Sequence, residues 1–254
     1  MLLAIDIGNT NIVIAIHDGD NWINVWRIHT DPASTSDELF LSLRELFNST
    51  GLELGIIDKA IVASVVPALT RSVAKAVYKV FALNAMIVSH DLDSGLVKET
   101  IPIEMGSDIL CNLAQAHDMH PQGPCIVMDF GTALTLSAVD ENGRVLGASI
   151  APGLVTAVKA LAGNTAQLKQ VELKVPSRVL GMDSESSIRS GIMIGYSGLA
   201  SALIRRASEE IGKKPYVIAT GGLATTISSL ISEIDLVDRD HTLNGLRLLS
   251  QLNQ

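Results

Sequence analysis

Apolar residues in this chain follow one rhythm, change to another, and then repeat the series. Residues 2–7 read Leu2-Leu3-Ala4-Ile5-Asp6-Ile7, apolar until Asp6, and alternating apolar segments follow over 11–17 and 22–29. Period-two patterning predicts strands over 1–7, 11–17 and 22–29. Gly8-Asn9-Thr10 and Asp18-Gly19 separate them, so the three strands read as consecutive hairpins. About half a chain later the series returns. Cys125-Ile126-Val127-Met128-Asp129-Phe130 leads through Gly131-Thr132 into a second alternating segment over 133–139 and an Asn142-Gly143 turn. In both copies an aspartate stands near the end of an apolar strand, just ahead of a glycine turn.

Between and after these openings the period changes to 3.6. Thr35-Ser36-Asp37-Glu38 is a capping box, in which Thr35 accepts from the N–H three residues on and Glu38 reaches back. Leu39, Leu43, Leu46 and Phe47 form the apolar stripe of the helix behind it, which stops near Gly51. A strand over 60–65, a helix over 67–81 opened by Pro67, a strand over 85–89 and a helix over 107–117 complete the first half. The second half adds helices over 155–162 and 187–211, a strand over 216–219 and a helix over 223–231 behind Thr220-Gly221-Gly222. Strands alternating with helices predict an α/β fold with mixed sheets. The repeated opening predicts two duplicated domains, 1–118 and 119–254, with a nucleotide cleft between them.

Composition narrows the class. The 254 residues carry a net charge of −8, and no stretch collects five or more Lys or Arg, so a nucleic-acid surface has no electrostatic footing. The apolar start runs directly into Asp6 without a basic flank or cleavage site, which reads as a buried strand and a cytoplasmic protein rather than a signal peptide. Residues 190–204 are uncharged but shorter than the roughly 20 residues a bilayer needs, so they read as a buried helix and not a membrane span. Gly191 and Gly195 lie one turn apart there, suiting either core packing or a dimer seam. Cys111 and Cys125 are the two cysteines, and neither has a second Cys or a His at metal-ligand spacing.

The two acidic turns carry the candidate chemistry. Glycine lets backbone N–H groups approach a phosphate, while Asn9, Thr10 and Thr132 add neutral donors. Asp6 and Asp129 supply acceptors for a metal ion or its water, so the pair suits a Mg-nucleotide. Gly221-Gly222, between a strand and a helix, suits either an anion or ribose contact or the plain closing of a βα unit.

In their order the motifs resemble those of the actin, heat-shock and sugar-kinase superfamily, and within it the type III pantothenate kinase family. The resemblance runs nearly end to end. It covers Asp6-Ile7-Gly8-Asn9-Thr10-Asn11, Arg27-Ile28-His29-Thr30, Ser64-Val65-Val66-Pro67, Gly106-Ser107-Asp108, Asp129-Phe130-Gly131-Thr132-Ala133, Ala151-Pro152-Gly153-Leu154, Ser190-Gly191-Ile192 and Ala219-Thr220-Gly221-Gly222. It implies two ribonuclease-H-like, actin-like ATPase domains and ATP-dependent phosphorylation of pantothenate, the first step of coenzyme A synthesis. It further implies Mg2+, a monovalent cation (K+ or NH4+) and a homodimer. Carried over by position, Asp6, Ile7, Gly8, Asn9, Thr10, Asn11, Ile12 and Val13 form the first phosphate loop, and Thr132 contacts ATP from the second. Asp129 ligates the monovalent cation, Asp108 is the general base, and Gly106, Ser107, Asp108, Ile109 and Ser184 hold the substrate.

The chain departs from the family pattern at three places. Ile109 replaces the usual arginine after the base, Glu99 falls where a tyrosine is usual, and Gly181-Met182-Asp183-Ser184 replaces Gly-x-Asn-Thr. A cationic fork for a substrate carboxylate is therefore missing at 109. Three functions stay open on the sequence: a pantothenate kinase, a kinase of another small hydroxylated substrate, and a nucleotide-binding regulator without turnover.

Overall fold

The computed structural model describes residues 1–163 and 171–254, and its packing divides them into two compact units. One comprises Met1–Gln115 with Thr242–Gln254, the other Ala116–His241. A single cut at 118/119 leaves the C-terminal residues with the second half, whereas packing attaches them to the first.

In the first unit, β1 (Leu2–Ile7), β2 (Asn11–His17) and β3 (Trp22–His29) form the expected hairpins. With β4 (Lys59–Ser64) and β5 (Met86–Ile87) they give a sheet of order β3-β2-β1-β4-β5, in which β1 pairs antiparallel with β2 and parallel with β4. Side chains alternate across it. Ile5, Ile7, Ile12 and Ile14 join one apolar core with Leu39, Leu43 and Phe47 of α1 (Ser36–Asn48) and Leu69, Val73 and Val77 of α2 (Pro67–Phe81). The capping box forms as read, with both Thr35 and Glu38 bonds present. The opposite face carries Ala4, Asp6, Val13 and Ala15 in register. It meets α3 (Ser107–Met119) and α7 (His241–Leu252), the second of which the sequence analysis did not foresee.

Two contacts fasten α7 to the first unit. The Trp22 indole N–H donates to Asn244 Oδ1 at 2.9 Å, and the Thr242 hydroxyl donates to Asn112 Oδ1 at 2.8 Å. Gly245 lies so close to α3 that a Cβ there would stand 2.7 Å from the Cys111 carbonyl carbon. Only glycine permits that approach.

The second unit repeats the plan with β6 (Cys125–Phe130), β7 (Ala133–Val139), β8 (Val145–Pro152), β9 (Tyr216–Thr220) and β10 (Leu236–Val237). Its order, β10-β9-β6-β7-β8, is the first sheet's order element for element, with β6 again antiparallel to one neighbour and parallel to the other. Both sheets even shift register at the same place, Ile16/His17 and Ala138/Val139. Ile126, Met128 and Phe130 pack with Ile192, Met193, Ala200 and Ile204 of α5 (Ser184–Ile211). The remaining helices are α4 (Leu154–Gly163) and α6 (Ala224–Ile227).

Several boundaries differ from expectation. The strand over 85–89 shrinks to two residues, and the helix over 223–231 is one α-turn followed by a 3-10 turn over Ser228–Leu230. Helix α5 starts three residues earlier than 187, because Asp183 caps it: Ser186 N–H donates to Asp183 Oδ1 at 2.8 Å. Gly191 and Gly195 do not face the core. Both are exposed, and among the described residues nothing lies within 4 Å of a Cβ built on either. Among the described residues no helix is long and apolar enough to cross a membrane.

Candidate active site

In the first unit the turn after β1 is held shut by its own backbone, Gly8 N–H donating to Asn11 O at 3.0 Å. Ile7 and Ile12 flank the turn with side chains fully inside the core, so of these two only the backbone is available to a ligand. Asn9 and Asn11 are exposed, and Asp6, Gly8, Thr10 and Val13 are half-buried. Asp6 and Val13 are paired across the hairpin and share the face that meets α3.

Asp108 stands in the first turn of α3. A short chain of bonds ties that turn to the phosphate-loop strand. Val65 N–H donates to Ile7 O at 3.0 Å where β4 leaves β1, and the preceding Ser64 N–H donates to Ser107 Oγ at 2.8 Å. The Ser107 hydroxyl, read from the sequence as a substrate contact, is thus engaged as a structural acceptor. Asp6 and Asp108 both act electrostatically on Cys111 of α3. That thiol is fully buried and pushed well up, first by burial and then by the charges of Asp6 and Asp108.

Asp108 itself is half-buried. Burial is the largest influence on its carboxyl and raises it above the ordinary range, partly offset by the N–H of Ile109, which donates to Oδ1 at 2.8 Å. The backbone N–H of Asp108 itself adds a smaller offset in the same direction. The Ile109 side chain is buried, so what it offers Asp108 is its backbone N–H. A Cβ on Gly106 would overlap Asp108 Oδ1, so glycine there leaves room for the carboxylate to fold back. Burial thus raises this carboxyl while a backbone N–H holds one of its oxygens, and no basic side chain stands at 109 to lower it.

In the second unit the sequence motifs converge more than expected. A Cβ on Gly131 would stand 3.3 Å from Asp129 Oδ1, and one on Gly221 would overlap the same oxygen and lie 2.7 Å from the Phe130 carbonyl carbon. Gly221 has φ +92°, a left-handed conformation that suits glycine. The Gly221-Gly222 turn therefore packs directly against the Asp129 carboxylate, whose Oδ1 takes the room that the two missing side chains leave. Thr132 is exposed at the tip of the turn. Among the described residues no three His, Cys, Asp or Glu cluster as a metal site, so a divalent ion would rely on Asp6, water and phosphate oxygens, as Mg2+ commonly does.

Ser184 is exposed at the start of α5 in the second unit, while Gly106, Ser107, Asp108 and Ile109 belong to the first. Asp183, which adds a charge relative to the family pattern, spends that charge on the helix. The N–H of Ser186 holds its carboxyl below the usual range. Glu99 is exposed in a 3-10 turn over Lys98–Thr100. One residue the sequence reading did not assign is Thr30, which bonds the first loop directly. Its signal was its place in the Arg27-Ile28-His29-Thr30 stretch, to which no role was attached.

Known proteins resemble this chain over its whole length. The sequence profile of the type III pantothenate kinase family matches residues 2–206. A protein of that name from Rhodospirillum rubrum is 42% identical over 257 residues, covering all of this chain and 99% of the relative. Another from Brevibacillus brevis is 39% identical, with both chains covered in full. Among solved structures, the activator of the 2-hydroxyisocaproyl-CoA dehydratase from Clostridium difficile, with bound ADPNP, superposes with a TM-score of 0.57 at 16% identity, covering 99% of this chain and 92% of that one. This likeness bears on the fold alone, the duplicated actin-like ATPase architecture. Full-length identity near 40%, a family profile over most of the chain and acidic glycine turns in both units lead to one assignment: the chain belongs to the type III pantothenate kinase family.

Proposed function

We propose that the protein transfers the γ-phosphoryl group of ATP to the hydroxyl of pantothenate, the first committed chemistry of coenzyme A synthesis, in the cytoplasm and as a homodimer. The observation that carries the reading is that Asp6 and Asp108 both act electrostatically on Cys111 of α3, whose first turn the Ser64–Ser107 bond ties to the first sheet. A phosphate loop and a proton acceptor side by side are what transfer to an alcohol requires.

The Asn9, Thr10 and Asn11 turn binds phosphate oxygens with neutral donors. Asp108 accepts a hydrogen bond from the substrate hydroxyl and aligns its oxygen. As that oxygen forms its bond to the γ-phosphorus and the bond to the β–γ bridging oxygen breaks, the proton passes to Asp108 and ADP leaves. The raised carboxyl suits this role, since a base closer to working pH takes the proton more readily at the moment of transfer. Mg2+ held through Asp6 and a monovalent cation held by Asp129 supply, when bound, neutralisation of phosphate charge. Gly106, Ser107, Ile109 and Ser184 shape the acceptor side. The open glycine face of α5, with exposed Leu199, supports the homodimer.

The test is ADP release with Mg2+ and K+ against pantothenate and a panel of other hydroxylated acids and sugars. Pantothenate should give the highest kcat/KM. Asp108→Asn, which keeps the shape and removes the acceptor, should lower turnover roughly 100-fold or more while sparing ATP affinity. Preference for a substrate without a carboxylate, which Ile109 would suit, or unchanged turnover in Asp108→Asn would overturn the reading.

A further inference from the structure

Thr30 follows the last residue of β3 and is 3% exposed. Both of its polar donors reach back to the turn after β1: Oγ1 donates to Gly8 O at 2.7 Å, and the N–H donates to Thr10 O at 3.0 Å. Among the described residues no peptide bond is cis, and in a trans peptide the carbonyl and the following N–H point in opposite directions. Turning the Gly8 and Thr10 carbonyls toward Thr30 therefore turns the N–H groups of Asn9 and Asn11 away from it. A turn with those carbonyls facing outward would present lone pairs to phosphate, and the same sequence would repel the ligand it is built to hold.

The second unit uses the same device with other residues. Thr132 O accepts from Gly153 N–H at 3.0 Å and from the Thr156 hydroxyl at 2.8 Å, donors that follow the exit of β8 as Thr30 follows β3. In each copy one N–H and one hydroxyl from beyond the third strand meet the loop: in the first they hold two carbonyls, Gly8 O and Thr10 O, and in the second both converge on Thr132 O.

We propose that Thr30 is a positioning residue of the nucleotide site, setting the peptide orientation of the first phosphate loop without touching the nucleotide. The proposal rests on the reading of that loop as a phosphate loop. Its hydroxyl is the critical group, since any non-proline residue would supply the N–H.

The experiment compares wild type, Thr30→Val and Thr30→Ser by calorimetric titration with a non-hydrolysable ATP analogue, by KM for ATP and for pantothenate, and by thermal melting. Valine keeps the branched shape and loses the donor, so nucleotide affinity should fall about tenfold, as for one lost buried hydrogen bond. KM for ATP should rise alongside it, while KM for pantothenate stays within twofold. Serine should restore nucleotide affinity even if its missing methyl lowers the melting temperature, which a purely structural role would not allow. Wild-type affinity in a folded Thr30→Val protein, or a Thr30→Ser protein as weak as the valine variant, would overturn the proposal. Wild type that binds the analogue but leaves pantothenate unmodified would overturn the substrate reading and leave Thr30 standing. Wild type that binds no nucleotide would overturn both.

Discussion

Gly106→Ala isolates the catalytic carboxylate from the fold. Gly106 caps α3, its carbonyl accepting from Leu110 N–H at 3.0 Å, and its φ is not positive, so alanine suits the backbone. The new methyl would meet Val65 Cγ1 at an ordinary 3.5 Å, and its one severe overlap is with Asp108 Oδ1. That atom is the end of a side chain, so the carboxylate swings aside by about 1 Å and the helix stays where it is. Swinging takes Oδ1 off the Ile109 N–H, now at 2.8 Å.

Three consequences follow. A displacement of about 1 Å in an aligning group costs on the order of 100-fold in rate, so kcat should fall by about that factor with KM for ATP unchanged. The Ile109 N–H favours the ionised form, and burial opposes it. Losing the N–H therefore raises the Asp108 carboxyl further, and the acid limb of the kcat–pH profile moves to higher pH. Stability should drop by only about 1 kcal/mol, the scale of alanine replacing a better capping residue. ADP release measured across pH, together with urea denaturation, reads all three. Wild-type kcat in Gly106→Ala, or a reduced kcat with an unmoved acid limb, would refute the argument that Asp108 is the base held by Ile109.

Three further outcomes are expected. Asp129→Ala should abolish stimulation by K+, and an enzyme still stimulated would remove Asp129 from the cation site. Gly245→Ala places a methyl 2.7 Å from the Cys111 carbonyl carbon, backbone against backbone, and should destabilise the first unit by about 1–3 kcal/mol in urea; a change below about 0.5 kcal/mol, the scatter of an ordinary surface substitution, would show that α7 is not tightly seated. His17 is held below its ordinary 6.5, by burial first and by Arg247 second, against Asp18 and Asp20. The unfolded chain therefore takes up the proton first, and stability contributed at neutral pH is lost as pH falls below 6.5. In His17→Phe the pH dependence of unfolding free energy between about pH 5 and 7 should flatten, and an identical slope would contradict the assignment.

Local rules determined much of this protein. The hairpins of β1, β2 and β3, the capping box at Thr35 and Glu38, the proline-opened α2 and the repeat of an acidic strand before a glycine turn all follow from residues a few positions apart, where period and cap chemistry operate. The candidate residues Asp6 and Asp129 stand in such local motifs, whereas Asp108 was reached only through the family resemblance. Tertiary structure decided what those motifs touch. That α7 belongs to the first unit depends on Trp22 meeting Asn244, a pairing across 222 residues that no periodicity encodes. Gly221 became part of the Asp129 site, and Asp183 a helix cap, only once distant segments were packed together. The role of Thr30 is of the same kind: its residue type fits any strand exit, and only the closing of β3 onto β2 brings its hydroxyl to the Gly8 carbonyl. Sequence specifies elements through short-range backbone preferences, whereas a hydrogen bond between loops exists only after the apolar faces beneath them have fixed their separation.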